Sequence, residues 1–250
     1  MDGHGRNGTD SPSGGPASDV GAVVVAAGVG RRFGDRDKAM ADLCGRPMLL
    51  WAVEAVAAVA ARVVVVTRPE AVAGLAAAVG TRLPPDRFLV VPGGMLRQDS
   101  VRLGLDALAG RPADLVAVQD AARPLTSVGL VDATVRSARR RGSGVAARRA
   151  ADTVKEADTD GRVLRTLDRS RLWQVETPQT FACGLLSEAL RRLDADGVEV
   201  TDDAAAVERA GDPVWLVDSA PWGPNDKVTV AGDVERIESV LRARLAAGRG

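Results

Sequence analysis

An α/β fold, with a mostly parallel sheet, helices on both faces and a projecting β-arm, is what the sequence predicts, and three observations lead there. From Val20 to Gly142, short β-branched runs alternate with segments of helical periodicity. The strand runs are apolar throughout rather than at every second position, as burial on both faces requires. The alternation then breaks at "DTVKEADTDGRVLRTLD", where alternating residues flank a "DTDG" turn.

The elements follow in order. Residues 1–19, "MDGHGRNGTDSPSGGPASD", are too rich in Gly, Ser and Asp to order themselves and read as a disordered leader. Residues 20–250 then read as one domain. "VGAVVVAAG" predicts a buried strand ending in a turn, and "RPMLLWAVEAVAAVAA" a helix with Pro47 near its first turn. "RVVVVT", "RFLVVP" and "DLVAVQD" predict further strands, while "PEAVAGLAAAVG", "SVRLGLDAL" and "SVGLVDATVRSARRRG" predict helices between and after them. Residues 151–170 read as the arm, which must bury its apolar side on something, and a second subunit is the natural candidate. The last third predicts the helix "GLLSEALRRL", a polar segment "TDDAAAVERAG", strands at "PVWLVDS" and "KVTV", and a closing helix "DVERIESVLRARLAA".

Composition excludes several kinds of chemistry. Lys+Arg and Asp+Glu balance at 33 each, so no global basic field recruits nucleic acid or an anionic membrane. No apolar run approaches the roughly 20 residues of a membrane span, and a cytoplasmic protein is expected. Cys44 and Cys183 lack metal-type spacing and read as reduced thiols. The single histidine, His4, lies in the leader, so neither a histidine base nor a His-bearing zinc site is expected. Lysine occurs only at 38, 155 and 227 among many arginines. An ammonium kept against that bias marks a candidate site, because the two cations are not interchangeable at a tight phosphate.

The stretch "VVVAAGVGRRFGDRDKAM" poses the choice between a dinucleotide and a triphosphate. Its glycines, Gly28, Gly30 and Gly34, are spaced one residue too long for the dinucleotide fingerprint, and "RVVVV" ends in Thr67 and Arg68 with no acid for a ribose. Nor does Lys38 have the Gly-Lys-Ser/Thr setting of a P-loop. What remains is a loop of backbone N–H groups with Arg31, Arg32 and Lys38, suited to a chain of phosphates, or else a solvated basic loop. "VVPGGMLRQDSV" sets Gly93, Gly94, Arg97 and Ser100 after a strand, and "VAVQDAARP" sets Asp120 and Arg123 on the same sheet edge, where open α/β sheets bind ligands. Asp120 there is either a helix cap or, opposite a triphosphate, a ligand for Mg²⁺.

Taken in order, "AAGVGRR", "GGMLRQDSV", "QDAARP", "DTVK", "LWQVETPQTF", "TDDAAAVE" and "NDKVT" resemble the 2-C-methyl-D-erythritol 4-phosphate cytidylyltransferases of the non-mevalonate isoprenoid pathway. The resemblance implies a Rossmann-like nucleotidyltransferase fold, a homodimer joined through the arm, and transfer of CMP from CTP to the phosphate of 2-C-methylerythritol 4-phosphate with release of pyrophosphate; the alternatives are a related enzyme acting on another polyol phosphate such as ribitol 5-phosphate, or a catalytically silent nucleotide-binding protein. It implies that Arg32 and Lys38 grip the triphosphate, that Ala26, Ala27, Gly28 and Gly30 carry the nucleotide loop, and that Gly93, Gly94, Arg97 and Ser100 read the cytosine. Asp120 would hold Mg²⁺ or another divalent cation. Arg123, Thr177, Thr201 and Lys227 would line the acceptor site, Lys227 also facing the reacting phosphate, and Thr153 and Arg169 would complete the pocket of a neighbouring subunit. The chain departs from the family's pattern at Val25 and Asp37, where proline is usual, and at Gln119, where histidine is usual. Asp37 would be able to pair with Lys38, and the longer "SAPWGPNDK" would let Trp222 fold over an acceptor such as 2-C-methylerythritol 4-phosphate or ribitol 5-phosphate.

Overall fold

Valine sorts the first half of the chain into a sheet with two buried faces. A computed structural model describes residues 15–28, 38–109 and 113–248. In it β1 (Ala17–Val25), β2 (Ala60–Thr67), β3 (Phe88–Pro92) and β4 (Leu115–Asp120) pair in parallel in the order β3-β2-β1-β4. Val63 and Val65 of β2 enter one apolar cluster, while Val64 and Val66 enter a second on the opposite face. α1 (Met48–Ala57), α2 (Val72–Gly80) and α4 (Val128–Arg141) cover the first face. α3 (Arg97–Leu108), α5 (Cys183–Asp196) and α6 (Asp203–Arg209) cover the second. Ser127 caps α4 and Gly142, at φ 82°, ends it.

The sheet continues through β8 (Trp173–Ala182), β5 (Ser143–Arg149) and β9 (Leu216–Asp218), giving seven strands in the order β3-β2-β1-β4-β8-β5-β9. β8 alone runs antiparallel to its neighbours. The arm is the hairpin β6 (Lys155–Ala157) and β7 (Val163–Thr166), a separate two-stranded antiparallel sheet. α7 (Asp233–Ala246) closes a third apolar cluster of Leu43, Met48, Trp51, Leu125, Val228, Ile237 and Leu241.

The structure corrects several sequence expectations. β1 begins at Ala17, inside the segment read as leader, and Asp19 pairs with Arg139 of α4 at 2.7 Å. β8 has no counterpart among the expected strands, because its buried residues include Glu176, Thr177, Gln179 and Thr180, and a hydrophobic pattern does not register them. "TDDAAAVERAG" contains the helix α6, capped by the Asp202 side chain on the N–H of Ala205. "KVTV" is not a strand. It lies in an irregular strap, residues 223–230, fixed by the Val228 side chain in the third cluster and by its N–H on Ala122 O at 2.8 Å. Trp222 lies against Gly129 of α4, where an added Cβ would sit 2.3 Å from its ring, and it lines a groove beside α7.

Candidate active site

β1 and β4 end side by side, with Val25 opposite Asp120 in the ladder, and a cavity of about 350 Å³ opens there. Its lining brings together Ala26, Ala27, Gly28, Lys38, Gly94, Arg97, Ser100, Asp120 and Lys227, all of them sequence candidates. A larger groove of about 1080 Å³ between α1, the start of α4 and α7 contains none of them. Gly30, Arg32 and Asp37 lie outside the described residues.

One wall is backbone. The N–H of Gly94 donates to Ser100 Oγ at 3.2 Å, and Ser100 Oγ donates to Leu96 O at 3.2 Å. Asp99, in the first turn of α3, accepts from the N–H of Leu96 at 3.0 Å. Space dictates both glycines: a Cβ on Gly93 would stand 2.7 Å from Ser100 Oγ and 2.8 Å from Ala27 Cβ, and one on Gly94 would stand 2.3 Å from Asp99 Cβ. Gly28 differs, since a Cβ there would meet nothing within 4 Å among the described residues. It lines the cavity, where a glycine lets a ligand approach the backbone closely.

The rest of the lining is charged. Asp120 Oδ2 accepts from Lys227 Nζ at 2.6 Å, and its Oδ1 lies 3.5 Å from Arg97 Nη2, with Arg123 Nε at 4.0 Å from Oδ2. Burial alone would raise the Asp120 pKa; Arg97 and then Lys227 outweigh it and hold the carboxyl below its ordinary value. Arg97 also donates to Asp203 Oδ2 at 2.8 Å, and this second carboxylate is 1% exposed. For Asp203 burial prevails over the same guanidinium and its pKa rises. Arg97 itself is held charged, because Asp203 and Asp120 overcome its desolvation. Lys38 Nζ donates to the carbonyl of Val228, so the two cavity lysines are fastened through adjacent residues of the strap.

The remaining candidates stand outside the cavity lining. Thr177 is buried and accepts the N–H of Asp120 on its Oγ1 at 3.1 Å, which fixes the aspartate from behind. Arg123 Nη1 donates to Asn225 O at 2.7 Å. Thr201 is exposed in the turn before α6. Thr153 and Arg169 are exposed at the root of the arm, where Arg169 Nη1 donates to Ala151 O at 2.8 Å, and this chain's own cavity gathers neither. Side chains that hold the site were missed by sequence reading, Gln98, Gln179 and Asp203 among them. Gln98 grips Val198 O and the N–H of Val200, Gln179 grips Asp202 and the N–H of Ala204, and Asp203 holds Arg97. Their only sequence signal was membership in the motifs "GGMLRQDSV", "ETPQ" and "TDDAAAVE".

A family model described as IspD, 2-C-methyl-D-erythritol 4-phosphate cytidylyltransferase, matches residues 20–243. A protein of that name from Pelotomaculum thermopropionicum is 42% identical over 230 residues, covering 90% of this chain and 95% of the relative. Among solved structures, a 4-diphosphocytidyl-2C-methyl-D-erythritol synthase from Anaerococcus prevotii superposes with a TM-score of 0.78 at 26% identity, covering 89% of this chain and 98% of that one. A 2-C-methyl-D-erythritol 4-phosphate cytidylyltransferase from Thermus thermophilus gives 0.70 at 31% identity, with 88% and 98% covered. With the match running from β1 into α7, the chain belongs to the 2-C-methyl-D-erythritol 4-phosphate cytidylyltransferase family.

Proposed function

We propose that the protein transfers CMP from CTP to 2-C-methyl-D-erythritol 4-phosphate, giving 4-diphosphocytidyl-2-C-methyl-D-erythritol and pyrophosphate. The observation that carries this reading is the cavity itself, whose lining joins glycine backbone at Gly28 and Gly94 with Lys38, Lys227, Arg97 and Asp120. An oxygen of the acceptor phosphate attacks the α-phosphorus of CTP, that bond forms as the bridge to the β-phosphate breaks, and pyrophosphate departs. The acceptor monoester has a second pKa of about 6 and is largely dianionic at neutral pH, so the attack needs no general base. This agrees with a chain whose one histidine is His4.

The protein's task is then to bring two anions together. Gly94 and Ser100 present the shaped wall for the base, and the backbone at Gly28 receives the phosphates. Lys38 and Lys227 face the reacting phosphate from the strap side and stabilise charge as the bond order shifts. Arg32 joins them on the triphosphate, and Arg123, Thr177 and Thr201 bound the acceptor.

Asp120 would hold Mg²⁺. Its buried carboxylate is ionised and turned to the cavity, and Mg²⁺ accepts one carboxylate when phosphates and water complete its shell. Among the described residues no group of three or more His, Cys, Asp or Glu could hold a metal, so most ligands would come from the triphosphate. When bound, the ion neutralises charge on the nucleotide. Thr153 and Arg169 serve the acceptor site of a second copy in a homodimer joined through the arm. The free thiols Cys44 and Cys183 fit a reducing, cytoplasmic setting.

The test is pyrophosphate release by the purified protein with Mg²⁺, each of the four nucleoside triphosphates, and both 2-C-methylerythritol 4-phosphate and ribitol 5-phosphate. Release only with CTP and the methylerythritol phosphate is expected. Preference for ribitol 5-phosphate would reassign the acceptor, and silence in every combination would overturn the reaction.

A further inference from the structure

The strap 223–230 carries Lys227 and supplies the carbonyl that receives Lys38, yet it has neither helix nor ladder to fix it. Beyond Val228 and its N–H on Ala122 O, a buried amide holds it close to Lys227. Asn225 is 2% exposed, and its Nδ2 donates to Glu176 Oε2 at 2.9 Å and to Thr177 O at 2.8 Å. Its Oδ1 accepts from Thr126 Oγ1 at 2.7 Å, so both donors and the acceptor of the amide are used. Its backbone carbonyl receives Arg123, while Gln119 Nε2 donates to Thr126 Oγ1 at 3.0 Å and joins the network to β4. Through Thr177, whose hydroxyl receives the N–H of Asp120, the same amide reaches the aspartate that Lys227 pairs with.

Only an amide satisfies these partners. An aspartate would set a second carboxylate against Glu176 and against the carbonyl of Thr177, and an apolar side chain would leave Glu176, 3% exposed, with Arg148 at 3.6 Å as its remaining partner. We propose that Asn225 is the positioning residue of the active site, its buried amide setting the strap so that Lys227 meets Asp120 in the cavity lining. Asn225 touches no reacting atom and acts through Lys227. Its effect on turnover rests on the reaction proposed above, whereas its effect on the strap does not.

The experiment is a double-mutant cycle in the full chain, with pyrophosphate release as one readout and amide hydrogen exchange over residues 223–230 as the other. Asn225→Ala is expected to lower turnover ~30-fold, the scale of a misplacement of about 1 Å at a reacting centre, and to speed exchange of the strap. In a Lys227→Ala background the same change should lower turnover by less than about threefold, because the group it positions is already gone. Equal losses in both backgrounds, or unchanged strap exchange, would overturn the proposal. If Asn225→Ala is not recovered folded, Thr126→Val removes one of the amide's partners and should lower turnover about fivefold, again only where Lys227 is present; equal losses there overturn it too. A wild-type protein inactive with CTP and the acceptor would count against the reaction, and the exchange readout would still decide the anchor.

Discussion

At the cavity, Asp120, Asp203, Glu176 and Asn225 are all less than a tenth exposed, and each meets a partner from another element; in the arm, every residue of β6 and β7 is exposed. The arm's charges answer to one another, Glu156 to Arg165 and Asp158 to Arg162, within a single hairpin. Its apolar residues Val163 and Leu164 are each 54% exposed. The difference teaches which half of the site one chain can complete. A network of buried charges is satisfied here and loses several kcal/mol if one partner is removed, whereas exposed hairpin pairs contribute about 1 kcal/mol or less. The glycine backbone and the cations of the cavity are partnered within this chain, while in the proposed function Thr153 and Arg169 act only if the arm reaches another copy.

Four changes would break or sharpen that contrast. Lys38→Ala is the largest: turnover should fall by roughly a hundredfold or more with little change in melting temperature, as for loss of a preorganised charge donor, and unchanged pyrophosphate release would remove Lys38 from the chemistry. Gly94→Ala should come next, since a Cβ 2.3 Å from Asp99 Cβ forces the start of α3 to move. We expect about a tenfold rise in the KM for CTP, against little change in the KM for the acceptor.

Asp120→Asn tests the charge cluster by its pH dependence. Because the folded protein holds this carboxyl below its ordinary pKa, the stability it contributes is present in full above the ordinary carboxylate value and is lost as pH falls through the lowered one. The variant should therefore melt below the wild type at neutral pH, and the gap should close in acid. A gap that widened in acid would contradict the ion pairing described here. The smallest effect belongs to the arm: Leu164→Ser should leave the unfolding free energy within about 0.5 kcal/mol under conditions where the chain is monomeric, and weaken self-association by light scattering.

The same contrast explains what the sequence disclosed. β1 to β4 were readable because valine runs buried on both faces have no other use, and the hairpin was readable from its "DTDG" turn. β8 was not, because Glu176, Thr177, Gln179 and Thr180 are buried by hydrogen bonding rather than by hydrophobicity. "KVTV" alternates like a strand, yet Val228 buries its apolar side chain in the cluster under α7. The lysines stood out by scarcity, but Asn225, which anchors the strap between them, carried no such signal. Trp222 looked like a lid in the sequence, and its place against Gly129 depended on a close approach that no local pattern encodes.

The most direct measurement of the central claim, that one chain builds the cationic cavity and the arm of another completes it, is subunit mixing. Lys38→Ala damages the cavity and Arg169→Glu damages the arm, so each homodimer should be at least about tenfold impaired at acceptor concentrations well below the wild-type KM. After exchange of equal amounts, half of the dimers carry one lesion on each chain, and one of their two sites is intact, so activity should recover to about a quarter of wild type. A mixture no more active than the average of its two components would contradict the shared site and return the arm to the chain that carries it.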